Sequence, residues 1–354
     1  MTTGKDRLPT AQQDMAVSPT LPALFLAWAP PSHSRRSELV ARQLGIPLRR
    51  VSVLKMKRGL APLRYTIQAV LTLIILFRER PRVVVVQNPP IFAPLFAWVY
   101  CVLSAGGLII DSHTDALQSR VWRWSLPLHR FLSRQALTTL VTNEYLRQIV
   151  TGWGAQSQII VDVPSEFPAA KPHPLEHPFN VAMVSSFASD EPLDEVVQVA
   201  ENLPDVGFYI TGDPVQGFKR LPAGLPPNLH LTGFLPDDEY YSLLRSAHAV
   251  MALTKEDHTM QRGACESVWL GQPIITSNWP LLRQAFHSGT IHVDNTVEGI
   301  QAGVVQMRAR YRELAGEILL LQEERRQQWE GIVAWLYGLI SRTLASRRSG
   351  YHGD

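Results

Sequence analysis

Hydrophobic residues in the first half of the chain fall in short unbroken runs separated by segments of mixed polarity. Leu24–Trp28, Val83–Gln87, Leu108–Asp111, Leu137–Thr142 and Ile159–Asp162 are apolar or β-branched nearly throughout. Unbroken runs, as opposed to alternating ones, predict strands buried on both faces of a parallel sheet. The intervening segments predict helices, which makes this half a βαβ unit. Pro164, Pro168, Pro172, Pro174 and Pro178 follow within fifteen residues. Proline lacks the N–H that a helix or an interior strand needs, so this stretch reads as an interdomain linker. The alternation then restarts, with strands at Asn180–Ser186, Gly207–Thr211, Leu229–Thr232, Ala249–Leu253, Pro273–Ser277 and Ile291–Asp294. Helices are expected at Leu193–Leu203, Asp238–Ala247, Met260–Leu270 and Leu282–Phe286, and from Val297 onward. The second half is thus another doubly wound α/β unit, and the lack of a short fixed period excludes a solenoid.

Length agrees with this division: 354 residues exceed what one hydrophobic core usually serves. The expected organisation is a disordered N-terminus (1–20), an N-terminal Rossmann-like domain (21–164), a proline-rich linker (165–178), a second Rossmann-like domain (179–312) and a C-terminal helix and tail (313–354). In that last segment Trp329, Ile332, Trp335, Leu336 and Leu339 recur at helical spacing. They suit a helix that docks and closes the structure, with a membrane or partner helix as the alternative. A composition of 45% hydrophobic and 18% charged residues excludes collagen-like and fully disordered chains. A net charge of +3 without a Lys/Arg stripe argues against nucleic acid as a partner.

Cys101 and Cys265 lie one in each half, which does not suggest a disulfide framework and fits a reducing cytoplasm. Met1–Pro19 has no apolar core and does not read as a signal peptide. Two apolar stretches, Ile67–Phe77 and Ile91–Ala105, fall short of the roughly 20 residues a membrane span requires and read as core helices. However, Arg49, Arg50, Lys55, Lys57, Arg58 and Arg64 precede the first of them. Cations beside an apolar helix are the pattern of a peripheral contact with the inner face of a membrane; a solvated basic loop is the alternative.

Candidate chemistry concentrates at the expected carboxyl ends of strands, where ligands bind in such sheets. In Thr254–Pro273, Thr259 is a candidate N-cap for a helix whose first amides would face a diphosphate. Gly263 would admit a ligand where a Cβ would block it, and Lys255 and Arg262 supply positive charge. Glu266 lies one turn beyond Arg262, placed to accept hydrogen bonds from a ribose diol. An ordinary i, i+4 ion pair on a surface helix is the competing reading. Asp111, His113 and Asp115 alternate after a strand and would share one side in extended geometry, giving a His flanked by carboxylates as a candidate base. A metal site and a structural helix cap by Asp111 or Thr114 are the alternatives. The Ala29–Glu38 loop offers His33, Arg35 and Arg36 to an anionic group, or to solvent at a helix start.

The segment CESVWLGQP (Cys265–Pro273) followed by IITS resembles the nucleotide-sugar-binding signature of family 4 GT-B glycosyltransferases. The resemblance implies an α/β GT-B fold: two Rossmann-like, doubly wound parallel-sheet domains facing a cleft, with a C-terminal helical extension. It implies a donor site with Glu266 on the ribose, and Lys255, Arg262, His258, Thr259, Gly263, Ser267 and Gly212 around the donor. His258 stands where the family has a first Glu that contacts the donor sugar. Asp257 and Glu256 are possible substitutes, and the region after the first strand of this domain (SSFASDEPLDE) is acidic where the family is usually basic. Gly212–Asp213 and Thr232–Phe234 resemble the family's glycine turns, or are plain strand-to-loop turns.

In the first half, VVVVQNPP and the Asp-x-His of LIIDSHTDAL resemble the acceptor domain of lipid-linked chitobiose mannosyltransferases. This places Asn88, Arg35 and Arg36 on the acceptor side and His113, Asp115 and Asp111 at the chemistry. The expected activity is metal-independent transfer of a sugar from a nucleotide-diphosphate co-substrate, without a cofactor, to a lipid-linked or cell-surface glycan in cell-envelope polysaccharide synthesis. Retention and inversion both remain open. The competing functions are a nucleotide-sugar epimerase on the same fold and a catalytically silent glycan- or partner-binding module.

Overall fold

The computed structural model describes residues 21–30, 34–52, 61–169, 171–222 and 224–349. The expected disorder of residues 1–20, and the readings for His33, Lys55, Lys57 and Arg58, lie outside the described residues.

The N-terminal unit runs β1 (Ala23–Ala27), α1 (Arg35–Gln43), β2 (Leu48–Arg50), α2 (Ala61–Glu79), β3 (Val83–Asn88), α3 (Phe92–Leu103), β4 (Gly107–Ser112), α4 (Thr114–Gln118), α5 (Leu126–Gln135), β5 (Thr138–Val141), α6 (Glu144–Gly152) and β6 (Ser157–Ile159). Its six strands are parallel in the order β2-β1-β3-β4-β5-β6. The second unit continues with β7 (Phe179–Val184), α7 (Leu193–Asn202), β8 (Val206–Thr211), α8 (Pro214–Arg220), β9 (Leu229–Gly233), α9 (Asp237–Ser246), β10 (Ala249–Ala252), α10 (Arg262–Leu270), β11 (Ile274–Ser277), α11 (Pro280–Ala285), β12 (Thr290–Val293) and α12 (Val297–Ala309). These strands are also parallel, in the order β12-β11-β10-β7-β8-β9. Strand order reverses beside β1 in the first sheet and between β7 and β10 in the second, so each sheet has a crevice at its carboxyl edge.

Four of the five unbroken apolar runs became strands for the expected reason, with β1, β3 and β4 buried at every position; the run Ile159–Asp162 did not, since β6 ends at Ile159 and residues 160–162 follow it outside the strand. Helices α2, α3 and α5 pack on one face of the first sheet, around Leu24, Val86, Leu108 and Leu132. The other face is covered by α1 and by the final helix α13 (Tyr311–Ser349). Leu314 joins the core of the second unit, whereas Trp329, Leu336 and Ile340 are buried against the first. The apolar stripe of α13 is therefore consumed by docking, which removes the alternative of a membrane or partner helix.

Two elements escaped the sequence pattern. Strand β2 is a short, polar edge strand (Leu-Arg-Arg), and α8 starts at Pro214 with Asp213 accepting a capping bond from the Val215 amide at 2.9 Å. The proline-rich stretch has no helix or strand in its described residues but is tied to the second unit. Arg245 donates to the Phe167 carbonyl at 3.1 Å, the His173 amide to Ser246 Oγ at 2.9 Å, and the Glu176 amide to Tyr209 Oη at 3.0 Å.

Candidate active site

A cavity of about 1130 Å³ opens between the carboxyl edges of the two sheets. The first unit contributes Arg35, Arg36, His113, Asp115, Arg120 and Arg123 to its wall, and the second contributes Tyr241, Glu256, Asp257, Thr259, Arg262 and Glu266. Arg35, Arg36, His113, Asp115, Thr259, Arg262 and Glu266, all singled out from sequence, thus meet across one cleft, although the two walls come from segments more than a hundred positions apart.

On the first wall, Asp111 is fully buried at the end of β4. Arg36 Nε donates to its Oδ1 at 3.2 Å, and Arg36 Nη1 donates to the Ile160 carbonyl at 3.0 Å. His113 Nε2 lies 3.4 Å from Asp111 Oδ2, outside hydrogen-bond geometry. Burial pushes the Asp111 carboxyl up, but Arg36 and His113 outweigh it and hold the group at about 2. Arg36 Nη2 and His113 Nε2 are buried without a hydrogen-bond partner, so two polar nitrogens on this wall are unsatisfied by the protein. Below them Asn88 is buried against Ser112 Oγ (3.4 Å) and His129 Nε2 (3.2 Å), and burial pulls the His129 imidazole down to about 4.

On the facing wall, Glu266 is 8% exposed and accepts from Arg262 Nε at 2.8 Å and Tyr240 Oη at 2.7 Å. The i, i+4 ion pair of the competing reading is therefore real, but it lines the cleft and is backed by α9. Burial, followed by the nearby Glu266 charge, raises the Tyr241 phenol to about 12. No side chain caps the first turn of α10, so its leading amides are open to an anion.

Several expected placements are corrected. Helix α10 starts at Arg262 with Gln261 as its N-cap, and Thr259 instead reaches back to the Asp257 carbonyl at 3.5 Å. Gly263 does not make room for a ligand: an added Cβ would sit 2.6 Å from Val184 Cβ, so the glycine serves helix-on-strand packing. Ser267 is fully buried and donates to the Gln272 carbonyl at 2.7 Å. Lys255 points to Glu195, 2.8 Å away, and is absent from the cleft wall.

His258 does not line the cleft; its ring stacks on Tyr145 of the first unit at 4.1 Å and 6°, leaving Glu256 and Asp257 on the wall. Gly212 is closed in by the Ser185 carbonyl and Phe187, directly before the α8 N-cap Asp213, and is not among the residues of the cleft wall. Asn88 lies beneath the wall and not on it. Asp111 and Asp115 do not share one extended face with His113, because β4 stops at Ser112 and α4 begins at Thr114. Neither Asp111 nor Thr114 caps that helix: His113 holds the cap position, without a side-chain bond.

The acidic loop after β7 is satisfied internally. Glu191 accepts from the Ser186 amide (2.9 Å) and hydroxyl (2.8 Å), and Asp190 accepts from Thr254 Oγ1 at 2.6 Å. The sequence reading missed Tyr240 behind Glu266, and a bond between the units in which Trp269 Nε1 donates to Asp162 Oδ2 at 2.5 Å. Burial raises the Asp162 carboxyl to about 6 despite the bonds from Val163 and Trp269. No local pattern marks these partners, because they lie 26 and 107 residues apart in sequence.

No protein-family model matches the chain, and no curated protein matches it. Solved structures do. The HepE protein of Anabaena, solved in complex with UDP and glucose, is 13% identical with a TM-score of 0.62, covering 92% of this chain and 100% of its own. Sucrose-phosphate synthase from Thermosynechococcus elongatus is 12% identical with a TM-score of 0.65, covering 92% and 99%. A putative UDP-N-acetylglucosamine 2-epimerase from Listeria monocytogenes is 11% identical with a TM-score of 0.59, covering 83% and 91%. With two parallel six-stranded sheets facing one cleft and a helix returning from the second unit to the first, the chain has the GT-B fold.

Proposed function

We propose that this protein transfers a sugar from a nucleotide-diphosphate donor to a hydroxyl acceptor. The observation that carries the reading is the cleft itself, with the unpartnered Arg36 Nη2 donor and His113 on one wall and the buried Glu266 on the other. The structural neighbour HepE, solved with UDP and glucose, supports a nucleotide sugar as donor. The proposal needs no cofactor beyond this co-substrate.

Glu266 is assigned to the donor ribose. A carboxylate has about four lone-pair positions, and the bonds from Tyr240 and Arg262 leave room for a diol. The uncapped start of α10 and the Arg262 guanidinium are assigned to the diphosphate, where they stabilise the departing charge. Asp257 and Glu256 take over the role that the family resemblance gave to position 258.

His113 and Asp115 are the candidate bases. In an inverting displacement one of them accepts the acceptor proton, and the Asp111 carboxylate 3.4 Å behind His113 would stabilise the imidazolium. In a retaining displacement neither has to act. Arg35 and Arg36 face the acceptor, which the proposal takes to be a lipid-linked or cell-surface glycan. The setting is the cytoplasm, with peripheral contact between the first unit and the membrane.

The epimerase reading is favoured by one observation, the Listeria neighbour. Acceptor-dependent release of free nucleotide separates the two, because an epimerase turns over without acceptor. The first test is calorimetric titration with UDP, GDP and ADP, repeated with Glu266→Ala. Micromolar binding of one nucleotide that is lost in a variant with parental circular dichroism supports the donor site. Unchanged affinity in the variant removes Glu266 from it, and no binding by the parent protein favours a silent module.

A further inference from the structure

Helix α2 buries two polar residues beside Ala69 and Leu76 on its inner face: Gln68 Nε2 donates to the Val51 carbonyl at 2.8 Å, and Thr72 Oγ1 accepts from Trp28 Nε1 at 2.7 Å. Its outer face carries Leu63, Val70, Leu71, Ile74 and Phe77, which are 41–55% exposed. Val70, Ile74 and Phe77 follow at intervals of four and three, Leu71 lies three before Ile74 and Leu63 two turns before Val70, which places them on one stripe. A helix that leaves five large apolar residues outside while part of its core face is polar is matched to an apolar surrounding on the outer side.

The stripe extends over the neighbouring elements. Phe77 packs edge-on to Tyr100 of α3 at 5.2 Å, beside exposed Val102 and Leu103. Trp98 of α3 meets Phe131 of α5 at 5.2 Å, and Phe92 of α3 meets Trp124 at 5.9 Å. Trp124 belongs to a turn in which Arg120 and Arg123 line the cleft while Val121 and Trp124 are exposed. The cleft mouth therefore opens at the edge of this apolar face.

Charge identifies what covers it. Helices α2, α3 and α5 carry Arg64, Arg78, Arg130 and Arg134 against a single carboxylate, an excess of positive charge on this face. The one acidic residue on α2, α3 and α5 is Glu79, which pairs with Arg49 at 2.6 Å. A second copy of this face would bring like charge against like charge, which disfavours self-association. An anionic bilayer offers both the negative surface and the apolar interior. With 19 residues, α2 is long and apolar enough to cross a membrane, but its bonds to Trp28 and Val51 hold it on the sheet, so it lies along the surface.

We propose that the α2–α3–α5 face seats the protein on the headgroup layer of an anionic bilayer, with the cleft mouth at the rim of the contact. The inference deepens the membrane contact proposed above. It can be judged apart from the transfer chemistry, since nucleotide titration and vesicle binding succeed or fail separately.

The test is flotation of the full chain with phosphatidylcholine vesicles, with and without phosphatidylglycerol. Binding is expected only with phosphatidylglycerol, declining with salt, and about tenfold or more weaker in Leu71→Glu and Ile74→Glu. Val305→Glu, an equally exposed change on α12 of the other unit, should leave binding unaltered. Parental circular dichroism and nucleotide affinity verify folding of the variants, and charge reversal at the exposed Arg78 and Arg130 should weaken binding independently. Absence of binding to anionic vesicles overturns the proposal, as does equal binding by the variants. So does a dimer of the parent protein that Ile74→Glu converts to monomer.

Discussion

Replacing Asp111 with Asn removes one negative charge beneath the cleft wall while keeping the size of the side chain. Asp111 is fully buried, and a carboxyl held at about 2 instead of 3.8 contributes about 2 to 3 kcal/mol of stability at neutral pH. Its folded pKa is depressed, so this contribution is present above pH 3.8 and is lost as pH falls toward 2. About half of it is gone by pH 3. The variant also leaves the Arg36 guanidinium, whose side chain is 18% exposed, with the Ile160 carbonyl as its remaining bond. Breaking a buried pair from one side costs about 3–5 kcal/mol. Asp111→Asn is therefore expected to lose about 3 kcal/mol at pH 7 and roughly 2 kcal/mol at pH 3. Urea denaturation of both proteins at pH 7, 5 and 3, followed by tryptophan fluorescence and circular dichroism, measures the difference. A loss below about 1 kcal/mol at pH 7, or a difference that does not narrow with acidification, would refute the reasoning.

Three further outcomes are expected. Burial holds His129 at about 4 against an ordinary 6.5, so the unfolded chain takes the proton first and stability falls by about 3 kcal/mol as pH drops from 6.5 to 4. His129→Gln should flatten that part of the stability profile, and an unaltered slope counts against it. Gly263→Ala places a Cβ 2.6 Å from Val184 Cβ and should cost about 1–3 kcal/mol in thermal denaturation, partly restored by Val184→Ala; no cost would show that the helix can shift freely. His113→Ala and Asp115→Ala should retain nucleotide binding, and at least one should lose about 100-fold or more in turnover. Full activity in both moves the catalytic group elsewhere.

The unbroken apolar runs located the interior strands because burial on both faces demands nothing more than continuous hydrophobicity, a property of five or six adjacent residues. The same logic missed β2, whose Leu-Arg-Arg lies at a sheet edge and need not be apolar. The start of α10 was expected at Met260 but falls at Arg262, because Thr259 bonds backward to Asp257 and not forward to the helix. Spacing placed Asp111, His113 and Asp115 on one extended face; the helix that begins at Thr114 separates them, so Asp111 is buried while His113 and Asp115 reach the cleft.

The sequence alone was enough to determine two parallel-sheet units, the proline-rich stretch between them, and the loops at the strand ends where polar residues gather. Only the tertiary structure decided which of those polar residues meet. His258 turns to Tyr145 of the other unit, Gly263 to Val184 and Lys255 to Glu195, while Arg36, His113, Arg262 and Glu266 are left lining one cavity. Tertiary structure also turned the apolar side of α2 outward, because Gln68 and Thr72 found partners at Val51 and Trp28 in the core. The physical reason is the same throughout. Hydrophobic continuity is a local property of the chain, whereas the direction a polar side chain takes depends on donors, acceptors and surfaces supplied by residues far away in sequence.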